Sequence, residues 1–499
     1  MMNKLNADNF PDLICKRPEK IIQFGEGNFI RAFIDWIVQQ LNTENKFNGS
    51  VVAIQPTPHG KVVNKLNAQN GLFTTILRGI QDGQIINTKE VITSISRGIN
   101  PYTNWQDVLK CAENPEIEIV FSNTTEAGLV YNEQDTSTMT PPLSFPAKLT
   151  LYLYHRYQYF QGDITKGMYI LPCELLENNG QLLKNIILKY CKQWNLPSKF
   201  VTWIDKYNKF YNTLVDRVVS GYPKDEIETL SKKLGYDDTL VDCGEPFHFL
   251  AIEGDISLNK KLPLLNSGLN IVVENDITKY RQRKVRLLNG GHTANVPASF
   301  LAGLDTVAEM MEDKITGNFA KQTINNHILP SISMDKEMLT VFANAVIERF
   351  QNPFIKHQLA SILLNCTSKF KARVLPSILE YHDKFNMFSK NLSFSFAAYI
   401  TLYNTTKIDG NNFYIKHNGI ICKLTDDEYA IQKLTSAWKN YAKTPASAVT
   451  VVNEVLSDIK LWSMDLTNYS ELVNDVSEYL YAINTQDIKQ IMQSLINED

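Results

Sequence analysis

Three side chains near the middle of the chain have the types and the spacing for proton transfer to an oxygen. Lys284, Asn289 and His292 follow a K-x4-N-x2-H pattern. A lysine placed beside Arg283 and Arg286 in a cleft is disfavoured in its charged form, so its pKa can fall toward ~7 to 8, where it exchanges protons efficiently. We expect Lys284 on a strand or loop, with Asn289 and His292 as neighbours on the first turn of the next helix. Spacing alone also allows a basic strand end, an Asn-Gly-Gly turn and a buried histidine.

A second candidate site lies near the N-terminus, where an apolar strand, KIIQF, leads into Gly25-Glu26-Gly27-Asn28 and an amphipathic helix. Glycines at such a turn permit a tight bend and the close approach of a pyrophosphate, which then lies on the helix N-terminus. Ile30 replaces the third glycine of the G-x-G-x-x-G pattern, so a plain turn is the alternative. We expect Asn28 to cap the helix and Arg31 to contact phosphate, unless Arg31 is only a solvated charge. The predicted cofactor-binding residues are Phe24, Gly25, Gly27, Asn28, Phe29 and Arg31.

The ends of two further strands complete the predicted cofactor site. The strand after the glycine turn ends at Gln55, without the acidic residue that usually binds the adenosine ribose of NAD, and Lys61 is nearby. These residues leave NAD and NADP undecided. Another strand ends in small polar residues, which is where a doubly wound sheet places its ligand, although a plain polar turn is equally consistent. This segment adds Asn123, Thr124, Thr125 and Glu126 to the prediction.

The elements that must position these residues alternate in the first half of the chain. Apolar runs predict strands at 20–24, 50–55, 117–123, 167–172 and 269–273, with amphipathic helices between them. From Gly290 onward the pattern is almost entirely helical, apart from a predicted hairpin at 411–424. The predicted fold class is α/β: an N-terminal Rossmann-like doubly wound domain that binds NAD, residues 1–280, followed by a mostly α-helical substrate and catalytic domain, residues 281–499.

Composition limits the classes of partner. The net charge is −3 over 499 residues, which argues against nucleic acid. The 7 cysteines are scattered without a CxxC pair, a pattern of reduced thiols that predicts no structural metal site. No apolar segment resembles a signal peptide or a membrane span, so we expect a cytoplasmic protein without membrane contact. The oligomeric state stays open.

Several blocks of sequence together resemble one family. FGEGNFIRAF, the K-x4-N-x2-H element, VDR at 215–217 and EPF at 245–247 are similar to the long-chain, metal-independent mannitol dehydrogenases, and the resemblance runs the length of the chain. It implies a Rossmann-like domain, a helical domain and a site between them. Blocks such as SNTTEAG and PCELLENNG narrow the implied reaction to reduction of D-tagaturonate to D-altronate with NADH, in hexuronate catabolism. The alternatives are fructuronate reduction or polyol oxidation by a member of the same family.

The resemblance also implies roles for individual residues. Lys284 becomes the general acid for ketone reduction and the base for the reverse reaction, while Asn179 and Asn289 become amide donors to the carbonyl oxygen. His292 and Asp216 become contacts to substrate hydroxyls. Lys369 matches a substrate-binding lysine of the family.

Two departures from the polyol dehydrogenases argue against a neutral substrate. Ser361 stands where they have an arginine, and Cys173-Glu174-Leu175 stands where they have CDN. We therefore expect a hexuronate or aldonate, whose carboxylate needs a positive partner. Lys356 or His357 could supply that charge, and a solvated helix face is the alternative for both residues.

Overall fold

The computed structural model describes residues 2–405 and 407–498. The chain divides into two compact units. Unit 1 comprises Met1–Gly79 and Ile85–Ile277, and unit 2 comprises Ile80–Gln84 and Thr278–Asp499.

Unit 1 mixes strands and helices. Its strands are β1 (Glu19–Phe24), β2 (Ser50–Ile54), β3 (Phe73–Gln81), β4 (Gln84–Ile92), β5 (Ile95–Ile99), β6 (Ile119–Ser122), β7 (Tyr169–Pro172), β8 (Lys209–Phe210), β9 (Asn212–Asp216), β10 (Val219–Gly221), β11 (Asp242–Gly244), β12 (Phe249–Glu253) and β13 (Ile271–Glu274). Its α-helices are α1 (Asn28–Ile30), α2 (Trp36–Thr43), α3 (Val62–Ala68), α4 (Trp105–Glu113), α5 (Phe145–Tyr159), α6 (Asn179–Gln193), α7 (Ser198–Tyr207) and α8 (Ile227–Leu234). A π-helical segment, Arg31–Asp35, joins α1 to α2, and short 3₁₀ turns lie at Pro11–Leu13, Glu126–Gly128, Ile164–Lys166 and Ile256–Lys260.

The main sheet of unit 1 is parallel and has the order β5-β2-β1-β6-β7-β8. This is the 3-2-1-4-5-6 order of a dinucleotide-binding Rossmann fold, in which the ligand crevice lies where the strand order reverses, beside β1 and β6. Both faces of the strands are buried because successive apolar residues point to opposite sides. Ile21 packs in one apolar core and Ile22 in the other, and the same holds for Val51 and Val52.

Smaller sheets flank this one. Strands β10-β11-β3-β4 form one sheet and β13-β12-β9 another, and each combines parallel with antiparallel pairing. The predicted strands at 20–24, 50–55, 117–123 and 167–172 correspond to β1, β2, β6 and β7. The predicted strand at 269–273 corresponds to β13, but it pairs with β12 outside the main sheet.

Unit 2 is largely helical. Its α-helices are α9 (Thr278–Arg283), α10 (Gly290–Leu301), α11 (Val307–Glu312), α12 (Lys314–Gln322), α13 (Leu329–Ser331), α14 (Lys336–Phe350), α15 (Leu359–Leu363), α16 (Cys366–Arg373), α17 (Leu375–Phe385), α18 (Lys390–Thr401), α19 (Glu428–Ala437), α20 (Pro445–Leu456), α21 (Ile459–Trp462), α22 (Ser470–Thr485) and α23 (Ile488–Glu498). π-Helical segments lie at Lys284–Asn289 and Thr323–Ile328, and 3₁₀ turns at Trp438–Asn440 and Leu466–Asn468. The predicted hairpin is confirmed as β15 (Asn412–His417) and β16 (Ile420–Thr425), with β14 (Ile408–Asp409) added at its edge.

The predicted fold class is confirmed: unit 1 carries a doubly wound parallel sheet, and unit 2 is mostly helical. The predicted assignment of cofactor binding to the first domain and catalysis to the second stays a prediction at this point. Among the described residues, no helix is both long enough and apolar enough to cross a lipid bilayer.

Candidate functional site

The turn after β1 has the backbone that a bound phosphate requires. Gly25 has φ +133°, and a Cβ there would lie 2.7 Å from the carbonyl oxygen of Asn123, so only glycine fits between β1 and β6. Gly27 is the N-terminal cap of the helix, and a Cβ on it would meet nothing within 4 Å. The helix therefore begins at an open position where backbone N–H groups face solvent, as anion binding demands.

Two neighbours of this turn make contacts that the sequence did not predict. Asn28 is not the cap: it is the first helical residue, and its Oδ1 accepts a hydrogen bond from Arg31 at 2.7 Å. Arg31 is 2% exposed, donates to the carbonyl oxygens of Glu26 and Leu240, and lies 3.4 Å from a carboxylate oxygen of Asp242. A phosphate contact of Arg31 would compete with these contacts inside unit 1, and it stays a prediction.

The side chains of Phe24 and Phe29 both pack against other aromatic rings of unit 1. The Phe24 side chain is fully buried and packs against Phe145 with ring centroids 5.1 Å apart, so only its backbone, which accepts from the N–H of Asn123, can border the crevice. Phe29 is half-buried and stacks on Phe33 at 5.1 Å. The two aromatic residues hold the turn in position from opposite sides.

A buried cluster of opposite charges lies beneath the turn. Asp35 and Asp242 are both inaccessible to solvent, and Arg31 is their shared cation. Burial raises the pKa of Asp35 to about 7 and that of Asp242 to about 7, although the positive charge of Arg31 opposes both shifts. Gln23 donates to Asp35 Oδ2 at 3.1 Å and to the carbonyl oxygen of Gly25, which links this cluster directly to the glycine turn.

Glu174 binds the end of β6 and the loop that follows it. Glu174, 2% exposed, accepts hydrogen bonds from Ser122 Oγ at 3.0 Å and from the backbone N–H and Oγ1 of Thr124 at 2.8 and 2.9 Å. Burial raises the pKa of Glu174, and the donated hydrogen bonds oppose that shift. Glu174, one of the residues that stand where the polyol dehydrogenases have CDN, therefore holds the loop that follows β6.

The rest of that loop continues along the crevice edge. Asn123 donates from its amide to the carbonyl oxygen of Cys173 at 3.0 Å, and Thr125 has a left-handed φ of +70°. Glu126 begins the exposed 3₁₀ turn that follows. These positions match the predicted location at a strand's carboxyl end, and their contacts to a cofactor stay predictions.

An acidic side chain does lie beside the end of β2, although it comes from elsewhere in the chain. Gln55 is 1% exposed and donates to the carbonyl oxygen of Thr57 at 2.7 Å. A Cβ on Gly60 would lie 2.6 Å from Gln55 and 2.9 Å from a carboxylate oxygen of Glu26. Burial raises the pKa of Glu26 to about 7. Sequence reasoning missed Glu26, whose only signal was its place between the two glycines.

Asn179 and Asp216, the other predicted residues of unit 1, are both buried. The Asn179 amide donates to the carbonyl oxygens of Pro172 at 2.9 Å and Glu174 at 3.0 Å, and its oxygen accepts from the N–H groups of Gly180 and Thr213. Asn179 thus joins the end of β7 and the start of β9 to the start of α6. Donation to a substrate carbonyl would require one of these bonds to break, so that role stays a prediction. Asp216 is 4% exposed at the end of β9.

Arg217, next to Asp216, connects the VDR motif to the EPF motif. Its guanidinium donates to the carbonyl oxygens of Pro246 and Phe247 and, at 2.7 Å, to that of Ala32, and it lies 4.1 Å over the ring of Trp36. Burial lowers the pKa of Arg217 to about 9. The two motifs are therefore one structural contact of unit 1.

In unit 2, Lys284, Asn289 and His292 lie on one continuous helical stretch, which corrects the expected strand or loop around Lys284. Helices α9 and α10 are joined by the π-helical segment Lys284–Asn289, and the N–H of Gly290 donates to the carbonyl of Val285, five residues earlier. In a regular α-helix, residues five apart point about 140° away from each other. A π-helical turn, with its i to i+5 bonding, brings Lys284 and Asn289 toward the same side.

The neighbouring arginines face away from that side. Arg286 is 3% exposed and donates to Ser377 and to both carboxylate oxygens of Glu380, at 2.9 and 3.0 Å. Arg283 packs over the ring of Phe342 at 4.2 Å. Both arginines hold the helix within unit 2, whereas the Asn289 amide makes no hydrogen bond to the other described residues. That amide is free to bind a ligand oxygen.

His292 is held by aromatic packing. Its ring stacks on Phe350 at 3.8 Å and meets the edge of His357 at 5.2 Å. Burial, followed by the positive charges of His357, Arg349 and Arg373, lowers the pKa of His292 well below its usual range. Its Nδ1 has no hydrogen-bond partner among the described residues. His292 is therefore a neutral imidazole with an available ring nitrogen.

The remaining predicted residues lie on or near α15 and α16. Lys369, on α16, donates to the carbonyl oxygen of Ile362 at 3.0 Å, and burial lowers its pKa. His357 and Lys356 are exposed and precede α15. The structure brings His357 to His292 and gives no comparable contact for Lys356. Ser361, on α15, is exposed.

No group of three or more His, Cys, Asp or Glu side chains in the described ranges could hold a metal ion. The glycine turn and the order of the parallel sheet define a dinucleotide-binding domain of the Rossmann type. Residues 19–266 match the mannitol dehydrogenase Rossmann domain, and residues 276–484 match the mannitol dehydrogenase C-terminal domain. The chain belongs to the mannitol dehydrogenase family, whose Rossmann domain takes a nicotinamide cofactor.

Curated relatives are similar over nearly the whole chain. The altronate oxidoreductase of Halalkalibacterium halodurans is 43% identical over 481 residues, covering 96% of this chain and 94% of that protein. The altronate oxidoreductase of Pectobacterium atrosepticum is 41% identical over 483 residues, covering 97% of each.

Solved structures share the fold at lower identity. The mannitol 2-dehydrogenase of Pseudomonas fluorescens, in ternary complex with NAD and D-mannitol, has a TM-score of 0.69 at 20% identity, covering 99% of this chain and 100% of that one. A substrate-free D-sorbitol dehydrogenase has a TM-score of 0.75 at 20% identity, covering 98% and 99%. These two structures bear on the fold alone.

Proposed function

We propose that the chain catalyses the reversible, NAD-dependent reduction of D-tagaturonate to D-altronate. The observation that carries this proposal is its 43% identity, over nearly the full length, to a curated altronate oxidoreductase. The side chains expected for ketone reduction are present: a lysine and a free amide lie on one helical stretch, Lys284–Asn289, in unit 2. Hexuronate catabolism is the metabolic setting that we propose, in the cytoplasm.

The proposed cofactor is NAD rather than NADP. The open helix start at Gly27 and the glycine-only contact at Gly25 suit a pyrophosphate, with Asn123 to Glu126 along the second strand end. The carboxylate of Glu26 lies beside the end of β2, where an acid would bind ribose hydroxyls and repel a 2′-phosphate. The segment 55–61 also contains no arginine, the side chain that commonly accommodates that phosphate.

In the proposed mechanism, the cofactor, when bound, supplies or accepts the hydride. Lys284 donates a proton to the oxygen of the ketone as it becomes an alcohol, and takes it back in the reverse direction. The amide of Asn289 donates a hydrogen bond to that oxygen while negative charge develops on it. Neutral His292 orients a substrate hydroxyl, as does Asp216, and Lys369 contacts the substrate. We propose a positioning role for Asn179, which fixes the end of β7.

Replacing Lys284 by methionine tests the proton-transfer step. We expect kcat for tagaturonate reduction to fall by roughly 10² to 10⁴, because general acid catalysis contributes about that much, while the Kd for NADH stays within twofold. Lys314→Met, at an exposed lysine of unit 2, is the control for loss of a positive charge. If Lys284→Met retained more than a tenth of the wild-type kcat, Lys284 would not be the proton donor.

Substrate identity is tested separately. One preparation is assayed with D-tagaturonate, D-fructuronate and D-fructose at saturating NADH, and we expect the highest kcat/KM with tagaturonate. Higher kcat/KM with fructuronate would overturn the named substrate, and higher kcat/KM with fructose would overturn the hexuronate class.

A further inference from the structure

Helix α16 carries Arg373 in addition to Lys369, and the end of this helix packs against the helical stretch of Lys284 and Asn289. A Cβ on Gly290 would lie 3.0 Å from the carbonyl oxygen of Arg373, so the end of α16 touches the residue that follows Asn289. One guanidinium nitrogen of Arg373 lies 3.5 Å from Thr293 Oγ1, which in turn donates to the carbonyl oxygen of Asn289 at 2.8 Å. The Arg373 side chain therefore reaches one helical turn beyond Asn289.

Arg373 and Lys369 form a pair of positive charges without an acidic partner. They lie four residues apart on α16, so they occupy the same face, and both are half-buried. Neither makes an ion pair with an acid in the described parts of the chain. The nearest carboxylate charge, that of Asp426, accepts hydrogen bonds from the N–H and Oγ1 of Thr367 and from Tyr403.

The environment favours an added negative charge. Burial lowers the pKa of Arg373, and burial together with the charge of Arg373 lowers the pKa of Lys369. Burial lowers the pKa of His357, and the charge of Lys369 lowers it further, so the positive potential of Lys369 extends to this neighbouring ring. An anion bound between Lys369 and Arg373 would relieve this repulsion.

We propose that Arg373, together with Lys369, binds the carboxylate of the substrate and selects hexuronates over neutral ketoses. This inference rests on the proposed function, since it takes Asn289 as the residue at the ketone oxygen. It assigns the carboxylate to Arg373 and Lys369 instead of Lys356.

The dimensions agree with this placement. Four carbon–carbon bonds of ~1.5 Å separate the ketone carbon from the carboxylate carbon of tagaturonate, which gives roughly 5 Å in an extended chain. Asn289 and Thr293 are four residues apart, or about 6 Å along the helix. A substrate lying parallel to α10, with its ketone at Asn289, therefore brings its carboxylate to the level of Arg373. Arginine offers a planar fork of N–H donors that matches a carboxylate.

The test compares two substrates that differ only at the carboxylate. Kinetics are measured at saturating NADH with D-tagaturonate and with D-tagatose, which has a hydroxymethyl group in its place. We expect Arg373→Met to raise KM for tagaturonate at least tenfold and to change kcat/KM for tagatose less than threefold. Arg373→Lys is expected to recover part of the tagaturonate affinity. Lys371→Met, on the same helix but on another side, is the control and should change neither value more than twofold.

The outcomes separate this inference from the proposed function. Equal losses with both substrates, no change in either, or a tenfold carboxylate-specific effect in Lys356→Met instead would overturn the role of Arg373. If the wild-type enzyme reduces fructuronate and not tagaturonate, the proposed substrate is wrong, and fructuronate with D-fructose becomes the matched pair for Arg373. Wild-type activity on neutral ketoses alone, or no binding of D-altronate to the NAD-saturated protein by calorimetry, overturns both.

Discussion

Replacing Asp35 by asparagine is expected to stabilise unit 1 above neutral pH. Asp35 is fully buried beneath the glycine turn, its Oδ2 accepts from Gln23 at 3.1 Å, and its Oδ1 has no hydrogen-bond partner among the described residues. An asparagine can keep the bond from Gln23 with its own oxygen. The substitution therefore removes a buried negative charge and leaves the neutral contacts in place.

The magnitude follows from the pKa of Asp35, which is about 7 in the folded protein against an ordinary value of 3.8. A carboxyl whose folded pKa is raised contributes stability that is fully present below pH ~4 and is lost as the pH rises through ~7. Each pKa unit corresponds to about 1.4 kcal/mol, so ionisation of Asp35 costs roughly 4 kcal/mol at pH 8. Asp242 shares Arg31 with Asp35, and removing one acid leaves the other better neutralised.

Hydrogen exchange measured by mass spectrometry on peptides covering β1 and β2 gives the free energy of opening of unit 1. At pH 8, Asp35→Asn should raise it by about 2 to 4 kcal/mol, and the gain should shrink toward zero near pH 4.5. The exposed Asp12→Asn is the control for charge removal in the same unit. If Asp35→Asn lowers the opening free energy at pH 8, Asp35 is ionised and stabilised by Arg31, and the reasoning is refuted.

Two further predictions concern the cofactor crevice. Glu174→Ala leaves the donors of Ser122 and Thr124 without their acceptor, so we expect a loss of about 3 kcal/mol in unfolding free energy and a KM for NADH at least tenfold higher, measured by denaturation and steady-state kinetics. Glu174→Gln keeps an oxygen that can accept from Thr124, so it should change the unfolding free energy and the KM for NADH much less than Glu174→Ala does. If the two variants change both quantities equally, the hydrogen bonds accepted by Glu174 do not matter for either. Glu26→Gln removes the negative charge beside Gly60 and should lower the ratio of kcat/KM for NADH to kcat/KM for NADPH at least tenfold, and an unchanged ratio would exclude Glu26 from cofactor selection.

Four of the six strands of the main sheet, β1, β2, β6 and β7, could be predicted from the sequence because they are apolar on both faces. Such runs stand out when they are separated by helices, as between β1 and β2 or β6 and β7. The smaller sheets could not be predicted, since their pairing depends on contacts distant in sequence. An example is the buried carboxylate of Asp238, which accepts from the backbone N–H of Thr74 and the amide of Gln69.

The candidate site was predicted unevenly, for physical reasons. Asn289-Gly290-Gly291 also allowed a turn, the alternative to the expected helix start, and both glycines are helical. A Cβ on Gly290 would lie 3.0 Å from the carbonyl oxygen of Arg373, and one on Gly291 would lie 3.2 Å from Ile324, so glycine is needed here for close packing. Arg31 was predicted to contact phosphate, and its sequence position cannot show that its partner Asp242 is brought beside it by folding.

In the helical stretch from Thr278 to Leu301, some charged side chains hold the helix in place, and Lys284 is proposed to take part in catalysis. Arg283 packs over Phe342 and Arg286 pairs with Glu380, and these contacts hold the helix in place. A regular helix would then point Lys284 and Asn289 about 140° apart, too far to act on one oxygen. Because the π-helical turn adds one residue to the repeat, the five-residue spacing brings both side chains to the same side. The K-x4-N spacing is therefore matched to this backbone distortion, which supplies a structural reason for it.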